Sequence, residues 1–456
     1  MTNMANKEAS LAQILEARER RANAQQEWIQ EFQAPILSFT LNIAGPVKNN
    51  ALIRRTFAEG MQDLHRKLEY ANIKILHEES VDAVTGFEAM IAADTGAREL
   101  KRLCVELEEE TPLGRLYDLD VIDPIQGKLD REQMGLPARG CMICGAPGSA
   151  CASRRLHSVE ELQQKTASLM TEAFLQKDAD FVSSQALRAL LYEVCTTPKP
   201  GLVDRDNNGS HRDMDIFCFI DSTVVLGSYF RKAFSLGYRL KNEGVGVCFS
   251  QLQEEGRKAE KMMFSATKGV NTQKGLIFSL GSLCCAMGRL WRPERACWKF
   301  EEILDLCAVL VREKVEADFC KARGETAGER FYLAYGYTGV RGELLQGSPH
   351  VREHAMPAFR KAREAGASLE ESGTAALIAL MSELDDTNIL SRGGETGLVW
   401  TKARAKELAS SLPNKTLLQS FDTEMIRRNY SPGGSADLLA ISYFLYFCCF
   451  DDTLSV

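Results

Sequence analysis

The spacing of apolar positions changes once along the chain. Residues 7–32 are polar with helical spacing and predict an outer helix. Over residues 36–43, Leu37, Phe39, Leu41 and Ile43 alternate with Ser38, Thr40 and Asn42, the period of a half-buried strand. Gly45-Pro46-Val47-Lys48 ends it. Ile53, Phe57, Met61, Leu64 and Leu68 then recur at threes and fours, as on an amphipathic helix. Further strands are expected at 73–76, 104–108 and 116–123, and the order strand, helix, strand predicts an α+β domain. Ser158 and Glu161 have the spacing of a capping box, opening a helix to about Gln176. Lys177-Asp178-Ala179-Asp180 reads as a polar break and a domain boundary. Beyond it, long amphipathic segments replace alternation, at 183–195, 214–234, 274–290, 294–323, 368–384, 401–410 and 436–450. Ser368 and Glu371 form another capping box. The expectation is a multidomain chain: an N-terminal α+β domain over 1–178, then a mainly all-α domain of about ten helices over 179–456.

Composition narrows the class. At 456 residues the chain is too long for one ordinary core. No apolar run reaches the ~18 residues of a membrane span, and MTNMANKEAS lacks the apolar centre of a signal peptide. Fourteen cysteines are scattered, two of them paired as Cys284-Cys285 and two as Cys448-Cys449. That is no disulfide framework; it predicts reduced thiols and a cytoplasmic location. A net charge of −7 implies no general nucleic-acid affinity, and neither nucleic acid nor membrane is expected as a partner. A polyanionic substrate needs local cations, helix N-termini or a metal.

Chemistry concentrates in one loop between two helical segments, TPKPGLVDRDNNGSHRDMD at 197–215, which carries Lys199, Asp204, His211 and Asp213. Its alternative reading is a solvated connector. Ser431-Pro432-Gly433-Gly434-Ser435 stands before an apolar helix, where glycines and free N–H groups suit a phosphate; the alternative is a Gly-rich loop with a serine cap. Ser391-Arg392-Gly393-Gly394 reads as a second such loop, with a guanidinium for phosphate oxygens. Lys268 and Lys274 flank Asn271, and Arg341 lies in Gly339-Val340-Arg341-Gly342-Glu343. Asp385 and Asp386 offer hard oxygen ligands for magnesium, or else make an acidic surface turn.

Glu193 with this loop, then ATKGVNTQKG (266–275), YGYTGVRGE (335–343), DDTN (385–388), SRGG (391–394) and SPGGSADLLA (431–440), resemble in order the triphosphoribosyl-dephospho-CoA synthases. The likeness covers about residues 180–456. It implies that ATP is a substrate, attacked at the anomeric carbon of its ribose by the 2′-hydroxyl of 3′-dephospho-CoA, with adenine leaving and the triphosphate retained. Such glycosyl transfer passes through an oxocarbenium-like transition state. It needs a base, an acid and charge compensation. On this reading Glu193, His211 and Asp213 are candidates for acid–base work. Asp204, Asp385 and Asp386 are candidates for magnesium. Lys199, Lys268, Asn271, Lys274, Arg341, Arg392, Gly393, Gly394, Ser431, Gly433, Gly434 and Ser435 are candidates for binding substrate phosphates.

In the N-terminal part, Asp118 and Asp120 share a strand face, about 6.5 Å apart, and can hold a divalent metal such as magnesium. Glu106 and Glu108 share a face by the same period. The alternative is an exposed polar strand. PLGRLYDLDV (112–121), SFTLNIAGPVK (38–48) and RRTFAEG (54–60) resemble the apo-citrate lyase phosphoribosyl-dephospho-CoA transferases. These move the prosthetic group to a serine of the citrate lyase acyl carrier (gamma) subunit with loss of pyrophosphate, which makes Asp118 and Asp120 catalytic candidates. Cys141, Cys144, Cys151 and His157 can complete a closed structural zinc site, or are thiols in a loop. The whole chain resembles a fused, bifunctional form. Other readings are the related malonate decarboxylase pathway, a non-catalytic nucleotide-binding scaffold, and N-glycoside hydrolysis.

Overall fold

A computed structural model describes residues 7–146, 151, 154, 156–294, 297–324, 327–410 and 414–451. The chain divides between Leu175 and Gln176 into two compact units, apart from a short stretch near Arg292 that groups with the first.

The first unit is α+β. Helix α1 (Leu11–Phe32) starts at a Ser10 capping box. Five strands follow: β1 (Ile36–Leu41), β2 (Lys74–Ala83), β3 (Gly86–Asp94), β4 (Tyr117–Asp123) and β5 (Gly127–Leu129). They form one antiparallel sheet in the order β2-β3-β1-β4-β5. Helix α2 (Ala51–Tyr70) lies on one face, with Phe57 stacked on Phe39 at 4.9 Å. A Cβ on Gly60 would come within 2.5 Å of the Phe39 ring, so only glycine lets α2 sit this close. Helix α1 covers the other face, with Trp28 against Ile36, Met90 and Ala92. Ile36–Phe39 is therefore buried on both faces instead of the half expected from alternation.

Residues 104–108 are not a strand. They belong to helix α3 (Ala97–Glu110), because Leu100, Leu103, Cys104 and Leu107 recur at threes and fours and are buried together. Five residues of alternation were too short to separate the two periods. Glu106 and Glu108 thus do not join Asp118 and Asp120. Glu106 pairs with Lys67 at 2.8 Å, and buried Glu108 pairs with Arg131 at 2.8 Å.

The second unit is helical. The polar run at 177–180 does not break the chain: α4 (Val159–Cys195) is one helix. Asp178 points inward and accepts Trp291 Nε1 at 2.6 Å, and Asp180 pairs with Arg231. The expected 214–234 helix is two, α5 (Ile216–Val224) and α6 (Gly227–Arg239). Then come α7 (Val245–Ala266), α8 (Lys274–Leu290), α9 (Phe300–Cys320), α10 (Ala327–Tyr335) and α11 (Gly339–Leu345). Helices α12 (Met356–Glu364), α13 (Leu369–Glu383), α14 (Thr387–Ala409), α15 (Lys415–Arg428) and α16 (Gly433–Cys449) complete it. Helices α8 and α16 are apolar on nearly every side and form the centre of the unit. A Cβ on Gly237 would lie 2.0 Å from Cys285 O, and one on Gly288 1.9 Å from Phe234 O; these glycines allow α6 to touch α8. Among the described residues no helix is long and apolar enough to cross a membrane.

Candidate functional site

In the helical unit, the 197–215 loop leaves α4 and ends at Asp215, whose side chain caps α5 by accepting Cys218 N at 2.9 Å. Its shape is set by its own carboxylates. Asp204 Oδ2 accepts Lys199 N at 2.9 Å, and Oδ1 accepts Asp206 N and Asn207 N at 2.8 and 2.9 Å. Gly201, at φ +74°, passes under Tyr430 O, where a Cβ would come within 2.4 Å. Asp422 on α15 holds the loop from outside, accepting Gly201 N at 2.8 Å and Asn207 Nδ2 at 2.9 Å. Lys199 is only 2% exposed; its Nζ donates to Glu193 O at 2.9 Å and pairs with the Glu193 carboxylate. The lysine expected to meet phosphate and the glutamate expected to move protons therefore satisfy each other.

Two other sequence motifs meet this loop, 391–394 and 431–435, and 385–388 joins them through Ser435. His211 Nε2 lies 2.8 Å from Ser431 Oγ, and Nδ1 lies 4.0 Å from Asp213. Burial, then the Arg392 charge, holds the His211 pKa below the usual imidazole range, so the ring is neutral at pH 7 and can accept a proton. Arg392 Nη1 donates to Ser210 O at 2.8 Å. Ser391–Gly394 is not a loop: it lies within α14, which kinks at Gly394 (φ 59°, ψ −165°). Gly393 is there for packing, since a Cβ would sit 2.3 Å from the Tyr430 ring.

Asp386 occupies the helix N-terminus expected to hold phosphate. It caps α14 through Asn388 N at 2.9 Å, and its Oδ2 accepts Ser435 N and Ser435 Oγ, at the start of α16, at 2.8 and 3.0 Å. A Cβ on Gly434 would lie 3.1 Å from that carboxylate, and one on Gly433 2.8 Å from Asn388 Nδ2. Asp385 beside it faces solvent and pairs with Lys402 at 2.8 Å.

Asp437, one turn into α16, was not singled out from the sequence. It makes no hydrogen bond or ion pair among the described residues. Its carboxylate sits against the start of α8, where a Cβ on Gly275 would come within 2.3 Å of Oδ2. Loss of water, then the charges of Glu193 and Asp386, pushes its pKa up to about 8.

Gly275 also lines a cavity of about 350 Å³ that brings Lys274 and Arg341 together with Arg257 and the rings of Phe249 and Phe278. Lys274 pairs there with Glu260 at 3.1 Å, and Arg341 with Asp318 at 3.4 Å. Three cations beside aromatic rings suit a phosphorylated nucleotide. Arg257 was missed because α7 carries no motif. Asn271 caps the start of α8, accepting Lys274 N at 3.3 Å, and Lys268 is exposed on the preceding turn.

In the first unit, strand pairing sets Glu88, Thr40 and Asp118 side by side, with Asp120 opposite Ser38. Thr40 Oγ1 donates to Asp118 Oδ2 at 3.3 Å, and Lys128 pairs with Asp120 at 2.7 Å. A cavity of about 380 Å³ between α1 and this face contains Asp118, Arg18, Arg21 and Lys48. Arg21 pairs with Glu88 at 2.8 Å. Burial, then the Arg18 charge, lowers the Lys48 pKa. The polar helix α1 thus supplies two of the cations of this site, Arg18 and Arg21, and the turn after β1 supplies Lys48.

The ligand atoms of Cys141, Cys144, Cys151 and His157 lie within 4.8 Å of one another. Gly145 N donates to Cys141 O at 3.0 Å and Cys141 N to Ala146 O at 2.6 Å, closing a tight turn that carries Cys141 and Cys144; Cys144 is exposed and Cys151 buried.

Two families divide the chain at the same place. Residues 9–173 match the apo-citrate lyase phosphoribosyl-dephospho-CoA transferase family, CitX. Residues 179–451 match the ATP:dephospho-CoA triphosphoribosyl transferase family, CitG. The protein CitXG of Haemophilus influenzae is 35% identical over 449 residues, 95% of this chain and 95% of its own. The chain belongs to the CitXG family. A second CitXG, from Leuconostoc mesenteroides subsp. cremoris, is 32% identical over 96% of both chains. The 2-(5''-triphosphoribosyl)-3'-dephosphocoenzyme-A synthase of Pectobacterium atrosepticum is 42% identical over 268 residues, covering 58% of this chain and 88% of its own.

Proposed function

We infer that the chain is a bifunctional transferase of citrate lyase prosthetic-group assembly. The helical unit joins ATP to 3′-dephospho-CoA, and the α+β unit passes the product to apo-citrate lyase. The observation that carries this reading is the match to fused relatives over nearly the full length of both chains.

In the first reaction the dephospho-CoA 2′-hydroxyl bonds to C1′ of the ATP ribose. The bond from C1′ to adenine breaks, the hydroxyl proton passes to a base, and adenine departs with a proton from an acid. The proposed base is His211, held neutral beside Ser431. The proposed acid is Asp437, which its raised pKa keeps protonated at pH 7. Arg257, Lys274 and Arg341 are proposed to compensate the triphosphate in their cavity.

Magnesium has no ready cage here. The carboxylate oxygens of Asp204 and Asp386 are taken by backbone and serine donors. Of the three magnesium candidates in the helical unit, Asp385 alone faces solvent, so the ion is proposed to enter with the nucleotide. No step is assigned to it. The scattered spacing of the cysteines favours reduced thiols and a cytoplasmic location.

In the second reaction a serine hydroxyl of the acyl carrier subunit is proposed to attack the phosphorus next to the ribose, and pyrophosphate leaves. Arg18, Arg21 and Lys48 meet the phosphates, and Asp118 orients or accepts the serine proton. Asp118→Asn lowers carrier loading about 10- to 100-fold, the worth of a charge-assisted hydrogen bond. It leaves adenine release unchanged. Loading of a labelled prosthetic group onto purified carrier measures this; full loading by the variant contradicts the assignment.

A further inference from the structure

We propose that Cys141, Cys144, Cys151 and His157 hold one zinc ion in a closed structural site that steadies the segment leading into β4. Four ligand atoms within 4.8 Å of one another already approach coordination size. With Zn–S bonds of about 2.3 Å, tetrahedral sulfurs stand about 3.8 Å apart. A second observation points to a ligand: His157 Nε2 is buried and has no hydrogen-bond partner among the described residues. A buried imidazole nitrogen without a partner costs free energy that a metal bond removes. His157 Nδ1 lies 3.9 Å from Glu161, so a carboxylate stands on the far side of the ring, the arrangement that orients a zinc-bound histidine.

Three sulfurs and one nitrogen in a tetrahedral set select zinc over the oxygen-loving cations. All four positions come from protein, so no site is open for water or substrate, and the role is structural. On binding, the three thiols lose their protons to solvent as Zn–S bonds form, and neutral His157 donates through Nε2.

The site is tied to the catalytic strand through its first turn. Arg139 donates to Tyr117 O at 2.6 Å and to Gly114 O at 2.7 Å, and Arg115 donates to Gly140 O at 2.5 Å. Tyr117 opens β4 and precedes Asp118. The zinc loop therefore braces the strand on which Asp118 and Asp120 stand.

The test is elemental analysis of the full-length protein purified without chelator, with zinc and iron both measured. The expected result is one zinc per chain, retained on dialysis, with three fewer cysteines reacting with a thiol reagent until a strong chelator is added. Cys144→Ser, at an exposed position, and His157→Ala are expected to lose the zinc and most carrier loading but to keep adenine release. A wild-type protein with no metal that retains none after incubation with zinc chloride overturns the proposal, whatever the variants do. So does stoichiometric iron. Zinc bound and lost with loading unchanged keeps the metal site but overturns its bracing of β4.

Discussion

Replacing Asp437 by Asn is expected to slow adenine release about 10²- to 10⁴-fold, the usual worth of a positioned general acid. Asn keeps the volume beside Gly275 but has no proton to give. The wild-type rate is expected to fall as pH rises through about 8, where Asp437 ionises, and the variant is expected to lack that limb. Stability separates this from a folding defect. A carboxyl whose folded pKa is raised contributes fully below its unfolded pKa of ~3.9, and the contribution is lost as pH rises to the folded value. At pH 8, therefore, the Asn variant is at least as stable as the wild type, and slow turnover there reports chemistry. An unchanged rate with the alkaline limb intact removes Asp437 from the mechanism.

Lys199→Met has the largest expected effect on stability. It leaves the Glu193 carboxylate buried without its cation, which costs about 3–5 kcal/mol. Lys199→Met combined with Glu193→Gln recovers most of that loss, because the uncompensated charge is gone. Urea unfolding followed for the helical unit measures both. If Lys199 instead bound phosphate directly, the single variant would fold normally and show a raised KM for ATP.

How much of this was legible depends on length and on partners. The strand at 116–123 and the long helical segments could be read because each repeated its period several times. Both expected capping boxes exist: Ser158 accepts Glu161 N at 3.1 Å, and Ser368 accepts Glu371 N at 3.2 Å. The 104–108 window misled because five residues of Cys-Val-Glu-Leu-Glu fit both periods. Strand β3 was overlooked since Gly86–Ile91 mixes apolar positions with Glu88, and that glutamate is buried against Arg21 of a helix far along the chain. Helices α7 and α15 were missed for their mainly polar faces.

The site was legible as a set of segments, less so as roles. Residues 197–215, 385–388, 391–394 and 431–435 do meet. Sequence could not say that Lys199 faces Glu193, that Asp386 fills the N-terminus of α16, or that Gly393 makes room for Tyr430, since each depends on what lies across the fold. Asp437 had a readable signal, a lone charge inside the otherwise apolar stretch Ser435–Phe447. Arg257 had none. The Cys/His spacing was legible, and the geometry joins all four residues.

The most direct test of the account is adenine release from ATP by the purified full-length chain, with magnesium, in the presence and absence of 3′-dephospho-CoA. Adenine is expected only when dephospho-CoA is present, one for each triphosphoribosyl-dephospho-CoA formed. Release without dephospho-CoA would make the helical unit an N-glycoside hydrolase. ATP binding with no release under either condition would leave a nucleotide-binding scaffold and contradict the synthase reading.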